Sequence, residues 1–191
     1  VVYACTPAPW HLRMAVRPVL RMGHPLLQQV AAPVTHFATA ELRALVADMD
    51  DTMRARQGAG IAAPQIGVSL RVVIFEVASH PRYPQAEPVP WTVLVNPRLE
   101  PIGADQDGAW EGCLSVPGLR GWGPRHTHLR YQGYDLEGRP FDRTVTGFHA
   151  RVVQHEVDHL DGILYPMRVT DMSRFGFEDE LFPDRGALPP D

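Results

Sequence analysis

Residues 148–162 read FHARVVQHEVDHLDG, and here the chain takes up the residue spacing of an amphipathic helix. Phe148, Val152, His155 and His159 recur every three or four residues, so they share one face of that helix. The glycine that ends the segment predicts the helix C-terminus. Two imidazoles therefore lie one turn apart on the same helical face.

The segment His155-Glu156-Val157-Asp158-His159 matches the H-E-x-x-H pattern. Histidines at positions i and i+4 can reach one metal ion, and Glu156 is placed to handle a water molecule beside it. A catalytic metal site needs a third protein ligand and one open position. The metzincin ligand is absent because position 165 is tyrosine. From the residues alone, Glu178 and Cys113 both stay open as the third ligand.

The composition narrows the function further. The chain has 191 residues, a net charge of −4 and 18 Lys plus Arg residues, all of them arginine. The absence of lysine excludes Schiff-base, Walker-A and kinase chemistry, and the acidic balance argues against a specific nucleic-acid partner. Two cysteines do not form a disulfide framework. No apolar stretch approaches the length of a membrane span, so we expect no membrane partner.

The pattern along the chain predicts a single α+β domain, with mostly antiparallel sheets around the H-E-x-x-H helix. Thr39 is the expected N-cap of a helix over residues 40–56, and Gly58 is its expected end. Residues 101–124 are rich in Gly and Pro, and we expect few regular elements there. The expected extended segments are residues 26–34, 71–77, 91–99, 127–134 and 139–145, the last two joined by a DLEG turn.

We expect the chain to divide into three parts. Residues 1–13 look like an appendage, such as a tag, an upstream piece or a targeting remnant. Residues 14–176 form the expected catalytic domain. Residues 177–191 are expected to be a loose C-terminal tail.

Three sequence blocks, taken together, resemble those of the peptide deformylases. That family carries G-x-G-L/I-A-A-x-Q, E-G-C-x-S and Q-H-E-x-D-H-L-x-G in this order. The chain has GAGIAAPQ at residues 58–65, EGCLS at 111–115 and QHEVDHLDG at 154–162. The resemblance covers roughly residues 16–170 and is that of the bacterial forms with a short C-terminal tail. It implies a metal-dependent hydrolase that removes the formyl group from the N-terminal formylmethionine of new polypeptides. The alternative is the zincin-type endopeptidase that would use Glu178.

The resemblance also implies roles for single residues. Cys113, His155 and His159 would bind one divalent metal ion, with Fe²⁺ as the expected native metal and Zn²⁺, Ni²⁺ or Co²⁺ as substitutes. Glu156 would be the general base and later the acid. Gln65 and the Leu114 backbone N–H would stabilise the oxyanion.

Further residues are expected to bind the substrate or to support the site. A formyl-Met nascent peptide is expected to lie as an added strand along the groove, with its methionine in an apolar slot. The expected substrate-binding residues are Ala59, Gly60, Gly112, Arg120, Phe148, Arg151 and Val152. Glu111 is expected to bind Arg125 below the metal, and Asp158 to orient a ligand or a nearby backbone group. The ribosome near its exit tunnel is a further expected partner. The expected location is the bacterial cytoplasm, or an organelle if residues 1–13 derive from a targeting segment.

Overall fold

The computed structural model describes residues 15–77 and 88–183. The expected α+β class with antiparallel sheets is confirmed. The strands are β1 (Gly60–Ala62), β2 (Val72–Val77), β3 (Val89–Pro101), β4 (Gln106–Cys113), β5 (Val116–His126), β6 (His128–Tyr134), β7 (Pro140–Thr146) and β8 (Phe175–Phe177). The α-helices are α1 (Ala40–Ala55), α2 (Gly147–Leu160) and α3 (Glu178–Leu181). Short 3₁₀ helices span Pro25–Gln28, Ala63–Ile66, Tyr165–Arg168 and Met172–Arg174.

The larger sheet has five antiparallel strands in the order β1-β2-β3-β6-β7, and helices cover both of its faces. Successive residues of a strand point to opposite faces. Val73 and Phe75 of β2 accordingly pack in one core cluster with α2 residues such as Val153. Val72 and Ile74 pack in a second cluster with residues of α1. The strand β2 is thus buried on both faces, and it fixes the two helices on opposite sides of the sheet.

Helix α1 begins where the sequence predicts, since the Thr39 hydroxyl accepts a hydrogen bond from the Leu42 N–H at 3.1 Å. We expected Gly58 to be the residue that reverses the chain after α1, but the reversal comes one residue earlier. Gln57 takes the left-handed conformation with φ 51°. The Gly58 N–H then donates to the Met53 carbonyl at 2.9 Å. The reversal of the chain thus uses a non-glycine residue, which composition alone does not reveal.

The expectation of few regular elements in residues 101–124 is wrong. Strands β4 and β5 form a long hairpin there, and with β8 they make a second, three-stranded antiparallel sheet. Several of their glycines face large side chains of neighbouring strands, so the usual hydrophobic alternation is missing. A Cβ at Gly108 would overlap the Trp122 ring. These strands carry Cys113 at the end of β4, and so they form one wall of the site.

Four of the expected strands are present, and one is not. The strands over residues 71–77, 91–99, 127–134 and 139–145 are present as β2, β3, β6 and β7. Pro97 lies where the pairing of β3 with β6 shifts register. Residues 26–34 are not one extended piece, because Pro25 starts a 3₁₀ turn and only Ala32 forms an isolated bridge, to Leu70. Regular structure also extends to Leu181, into the segment 177–191 that we expected to be loose.

Helix α2 ends as the sequence predicts. Gly162 has φ 71°, and a Cβ there would lie 2.7 Å from the Gln28 carbonyl group. Only glycine fits both the left-handed backbone and the close approach. Across the described residues, no helix is both long and apolar enough to span a bilayer.

Candidate metal centre and active-site groove

Three potential metal ligands meet between α2 and the end of β4. One ligand atom each from Cys113, His155 and His159 lies within 4.8 Å of the others, so the three could hold a metal ion. The Cys113 Sγ is 3.3 Å from the His159 Nε2. One thiol and two imidazoles are donors that suit Fe²⁺, Zn²⁺, Ni²⁺ and Co²⁺, and three ligands leave a position open. The donor set therefore fits a catalytic metal.

Burial and neighbouring groups shift the pKa values of the two histidines. Burial lowers the pKa of His155, but hydrogen bonds to Cys113 and Glu111 outweigh it and raise that pKa above its usual range. Burial lowers the pKa of His159, and the positive charges of His155 and Arg125 add to the effect. A neutral imidazole is the form that binds metal. The lowered pKa of His159 favours that neutral form.

Glu111 anchors the ring of His155. Its Oε2 lies 2.8 Å from the His155 Nδ1, which leaves the Nε2 of that ring for the metal. Arg125 donates two hydrogen bonds to Glu111, at 2.8 and 2.9 Å, as the sequence predicts. The Arg151 guanidinium adds a third at 2.8 Å. Burial alone would raise the pKa of Glu111, but the hydrogen bonds from Arg125 and His155 lower it well below its usual range.

Asp158 is buried and lies beneath the site rather than on the surface. It accepts a hydrogen bond from the Arg125 Nη1 and two from Arg168, at 2.7 and 3.1 Å. Arg125 thereby bridges two buried carboxylates. The sequence singled out Glu111 and Arg125, but it gave no sign of Arg168, which reaches the site only through the fold of the chain after α2.

Glu156 faces the groove from the next position of α2. Burial raises its pKa to about 7, and its Oε2 has no hydrogen-bond partner among the described residues. A Cβ at Gly60 would lie 2.5 Å from the Glu156 Oε1, so the carboxylate sits against the backbone of β1. A buried carboxyl group with a pKa near neutrality can exchange a proton at the pH of the cell.

Gln65 is held in one orientation beside the ligands. Its Oε1 accepts a hydrogen bond from the Ala62 N–H at 2.8 Å. The amide Nε2 therefore points the other way, 3.4 Å from the Cys113 Sγ and 3.1 Å from the Ser115 Oγ. Ser115 is fully buried and was not singled out from the sequence, although it belongs to the EGCLS block.

A groove runs past these residues between the two sheets. It is bounded by β1, an edge strand of the larger sheet, and by β4, an edge strand of the smaller one. The groove brings together every residue expected to bind substrate or to act on it: Ala59, Gly60, Gln65, Gly112, Leu114, Arg120, Phe148, Arg151, Val152 and Glu156. Gly58 and Trp110 also line it.

Both arginines of the groove are fixed by other contacts rather than free in solvent. Arg151 binds Glu111 and the carbonyl oxygens of Gly123 and Asp107, the last at 2.6 Å. Arg120 is buried and forms an ion pair with Glu178 at 2.7 Å. Glu178 therefore neutralises an arginine and is not part of the ligand cluster, so the geometry does not favour the zincin-type endopeptidase.

A metal held by three protein ligands, with a carboxylate beside the open position, is typical of metal-dependent hydrolases, and the geometry places the chain in that class. The comparisons with known proteins are more specific. Residues 16–175 match the family model of the polypeptide deformylases. The chain belongs to this family.

Similar proteins cover nearly the same region. Peptide deformylase 1 of Nitrosomonas europaea is 63% identical over 168 residues, which is 88% of this chain and 96% of that protein. Peptide deformylase 2 of Ralstonia nicotianae is 61% identical, over 90% of this chain and 97% of that protein. A Met-Ala-Ser-bound crystal structure of the class I type b peptide deformylase of Acinetobacter baumannii has a TM-score of 0.79 and 40% identity, covering 82% of this chain and 99% of that one.

The resemblance found in the sequence is thus confirmed. The protein is a metal-dependent hydrolase that removes the formyl group from the N-terminus of newly made polypeptides. Nothing in the comparisons favours an endopeptidase.

Proposed function

We propose that this deformylase binds its metal through the Cys113 thiolate and the imidazoles of His155 and His159, with Fe²⁺ as the native ion. The proposal is supported chiefly by the convergence of these three donors within 4.8 Å. When bound, a divalent metal supplies Lewis acidity, which lowers the pKa of water and polarises a carbonyl group. The thiolate and the neutral imidazoles tolerate Zn²⁺, Ni²⁺ or Co²⁺ in its place.

Glu156 moves the proton. Its carboxylate takes a proton from the attacking water and returns it to the amine that leaves when the formyl C–N bond breaks. Two observations support this role. The side chain is packed against Gly60, and its Oε2 forms no hydrogen bond with any described group. The carboxylate is therefore free to face the reacting atoms.

Gln65 and Leu114 stabilise the negative charge on the formyl oxygen. The Gln65 amide is a preorganised donor because Ala62 fixes its oxygen, and its NH₂ group already points to the ligand cluster. The backbone N–H of Leu114, next to Cys113 on the wall of the groove, is the second donor. Such donors act without reorganisation when the charge develops.

The two edge strands bind the peptide backbone. A formyl-Met peptide lies between Ala59-Gly60 and Gly112 as an added strand. The two glycines leave room beside it for the Glu156 carboxylate and the Arg120 guanidinium. Phe148 and Val152 form the apolar slot for the methionine side chain, while Arg120 and Arg151 flank the groove. The Met-Ala-Ser-bound structure of the Acinetobacter baumannii relative supports a peptide ligand that begins with methionine.

The cellular setting follows from the substrate. We place the protein in the bacterial cytoplasm, where formylated chains leave the ribosome, and we propose that it acts near the exit tunnel. The bacterial origin of its relatives supports this location. We also propose that residues 14–176 contain the catalytic unit, in line with the family match over residues 16–175.

Formate release from formyl-Met-Ala-Ser tests the proposed roles. The metal-loaded protein should release formate, and N-acetyl-Met-Ala-Ser serves as the matched control that should release no acetate. Glu156→Gln should retain its metal and lose at least about 10²-fold in kcat, because only the proton-transfer group is changed. Full turnover by the metal-loaded variant would remove Glu156 from the mechanism.

A further inference from the structure

The segment Arg174–Phe182, here called the C-terminal clip, packs against the groove. Its strand β8 pairs with β5, with Gly176 opposite Arg120 and Phe177 opposite Leu119. At one end of the clip the Arg174 guanidinium lies 3.7 Å from the centroid of the Trp122 ring. At the other end an aromatic contact of 5.2 Å joins Phe182 to Trp110, which lines the groove.

The clip also places a carboxylate on the buried arginine of the groove. The Glu178 Oε2 is 2.7 Å from the Arg120 Nη2, and the two side chains are only 20% and 6% exposed. A guanidinium so far from water needs a counter-charge, and a shielded pair is held more firmly than a surface pair. Glu178 therefore fixes the position of the Arg120 guanidinium group.

The position of the Arg120 guanidinium matters because it lies over β4, the strand that ends at Cys113. A Cβ at Gly112 would overlap the Arg120 Nη1, so the guanidinium packs directly on the residue before Cys113. Arginine has five N–H donors. The Arg120 Nη1 donates to the Leu119 carbonyl at 3.5 Å, whereas the Nη2 forms the ion pair with Glu178 without a hydrogen bond of good geometry. Donors remain for the carbonyl oxygens of a peptide lying along Gly112.

We propose that Glu178 is a positioning residue for substrate binding: it holds the Arg120 guanidinium over Gly112, so that the C-terminal clip completes the peptide groove. Without this carboxylate the long arginine side chain regains its rotamers, and each bound peptide must order it again. The loss of Glu178 should therefore weaken substrate binding and not proton transfer, because Glu178 touches neither the ligand cluster nor Glu156. The role of Glu178 rests on the deformylase function proposed above.

The test compares steady-state kinetics of metal-loaded Glu178→Gln with those of the parent on formyl-Met-Ala-Ser. The Gln variant keeps the shape of the side chain and removes its charge, so KM should rise on the order of tenfold while kcat stays within about twofold. Glu178→Asp, which keeps the charge, should recover part of the KM. Glu180→Gln is the matched control, because Glu180 is an exposed carboxylate of the same short helix, and its KM should equal that of the parent.

A double variant shows whether Glu178 acts through Arg120. In an Arg120→Gln background, Glu178→Gln should raise KM no further, since the group it positions is already gone. The proposal is overturned if Glu178→Gln leaves KM unchanged, if it lowers the melting temperature alone, or if it raises KM equally in both backgrounds. Formate release by the parent is measured in the same series, so a failure of the deformylase function itself would be seen separately.

Discussion

Replacing Glu111 with glutamine should weaken both the fold and the metal site. The carboxylate accepts hydrogen bonds from Arg125 and Arg151 and also contacts the His155 Nδ1, all within 2.8–2.9 Å. Glutamine retains one acceptor oxygen, but its NH₂ group would face guanidinium N–H donors. Breaking a buried ion pair by removing one partner costs about 3–5 kcal/mol. Because Arg125 keeps Asp158, we expect a loss of about 3 kcal/mol in the free energy of unfolding.

The same change should release the ring of His155. Loss of the group that orients a metal-binding histidine typically lowers metal affinity about 10–100-fold. Urea unfolding of the metal-free protein measures the first effect, and competition with a chelator measures the second. Glu100→Gln is the control, since the exposed Glu100 makes only a loose surface ion pair with Arg130, at 3.6 Å. This change should alter the free energy of unfolding by less than about 0.5 kcal/mol. Parent-like stability and affinity in Glu111→Gln would refute this view of the network.

Three other outcomes are expected. Gly60→Ala should displace the Glu156 carboxylate, which lies 2.5 Å from the new Cβ, and lower kcat on the order of 10²-fold; an unchanged kcat would contradict this. Burial, together with the charge of Arg143, lowers the pKa of His149 to about 4 from the usual 6.5, so the unfolded chain binds the extra proton first and stability is lost as the pH falls from about 6.5 towards 4. With solvent screening of this half-buried ring the loss is about 1–2 kcal/mol, and urea unfolding of His149→Phe should lack it; equal pH slopes would refute the assignment. The Fe²⁺ form should lose activity in air faster than the Ni²⁺ form, because the iron or the Cys113 thiol is oxidised, and equal lifetimes in a timed formate assay would count against iron as the labile centre.

The elements that the sequence predicted are those with a clear local pattern. Helix α2 shows helical spacing, and β2 is a run of β-branched residues buried on both faces. Each pattern arises within its own element, because one face of α2 and both faces of β2 pack against apolar layers whatever the rest of the chain does. Gln57 shows the limit of this approach, since this residue shortly after α1 adopts a positive φ without being glycine.

The second sheet escaped prediction for a different physical reason. Its strands carry glycines where a neighbour needs space: Gly108 leaves room for Trp122, Gly112 for Arg120 and Gly121 for Phe175. Such a glycine looks like a loop residue until the partner strand is known. The histidine pair and Glu156 were predictable because their spacing along α2 is local. Cys113 was singled out only through the family resemblance, and Ser115 and Arg168 reach the site only through tertiary contacts.

Cobalt binding followed by near-ultraviolet absorption tests the proposed ligand set most directly. The Co²⁺-loaded parent should show a thiolate-to-cobalt charge-transfer band, since Cys113 is the only thiol in the described groove. Cys5→Ala, which changes the cysteine outside the family match, should keep the band. Cys113→Ala should lose it together with most of its metal affinity. A Cys113→Ala protein that retained the band, or that bound metal and released formate like the parent, would contradict the proposed site.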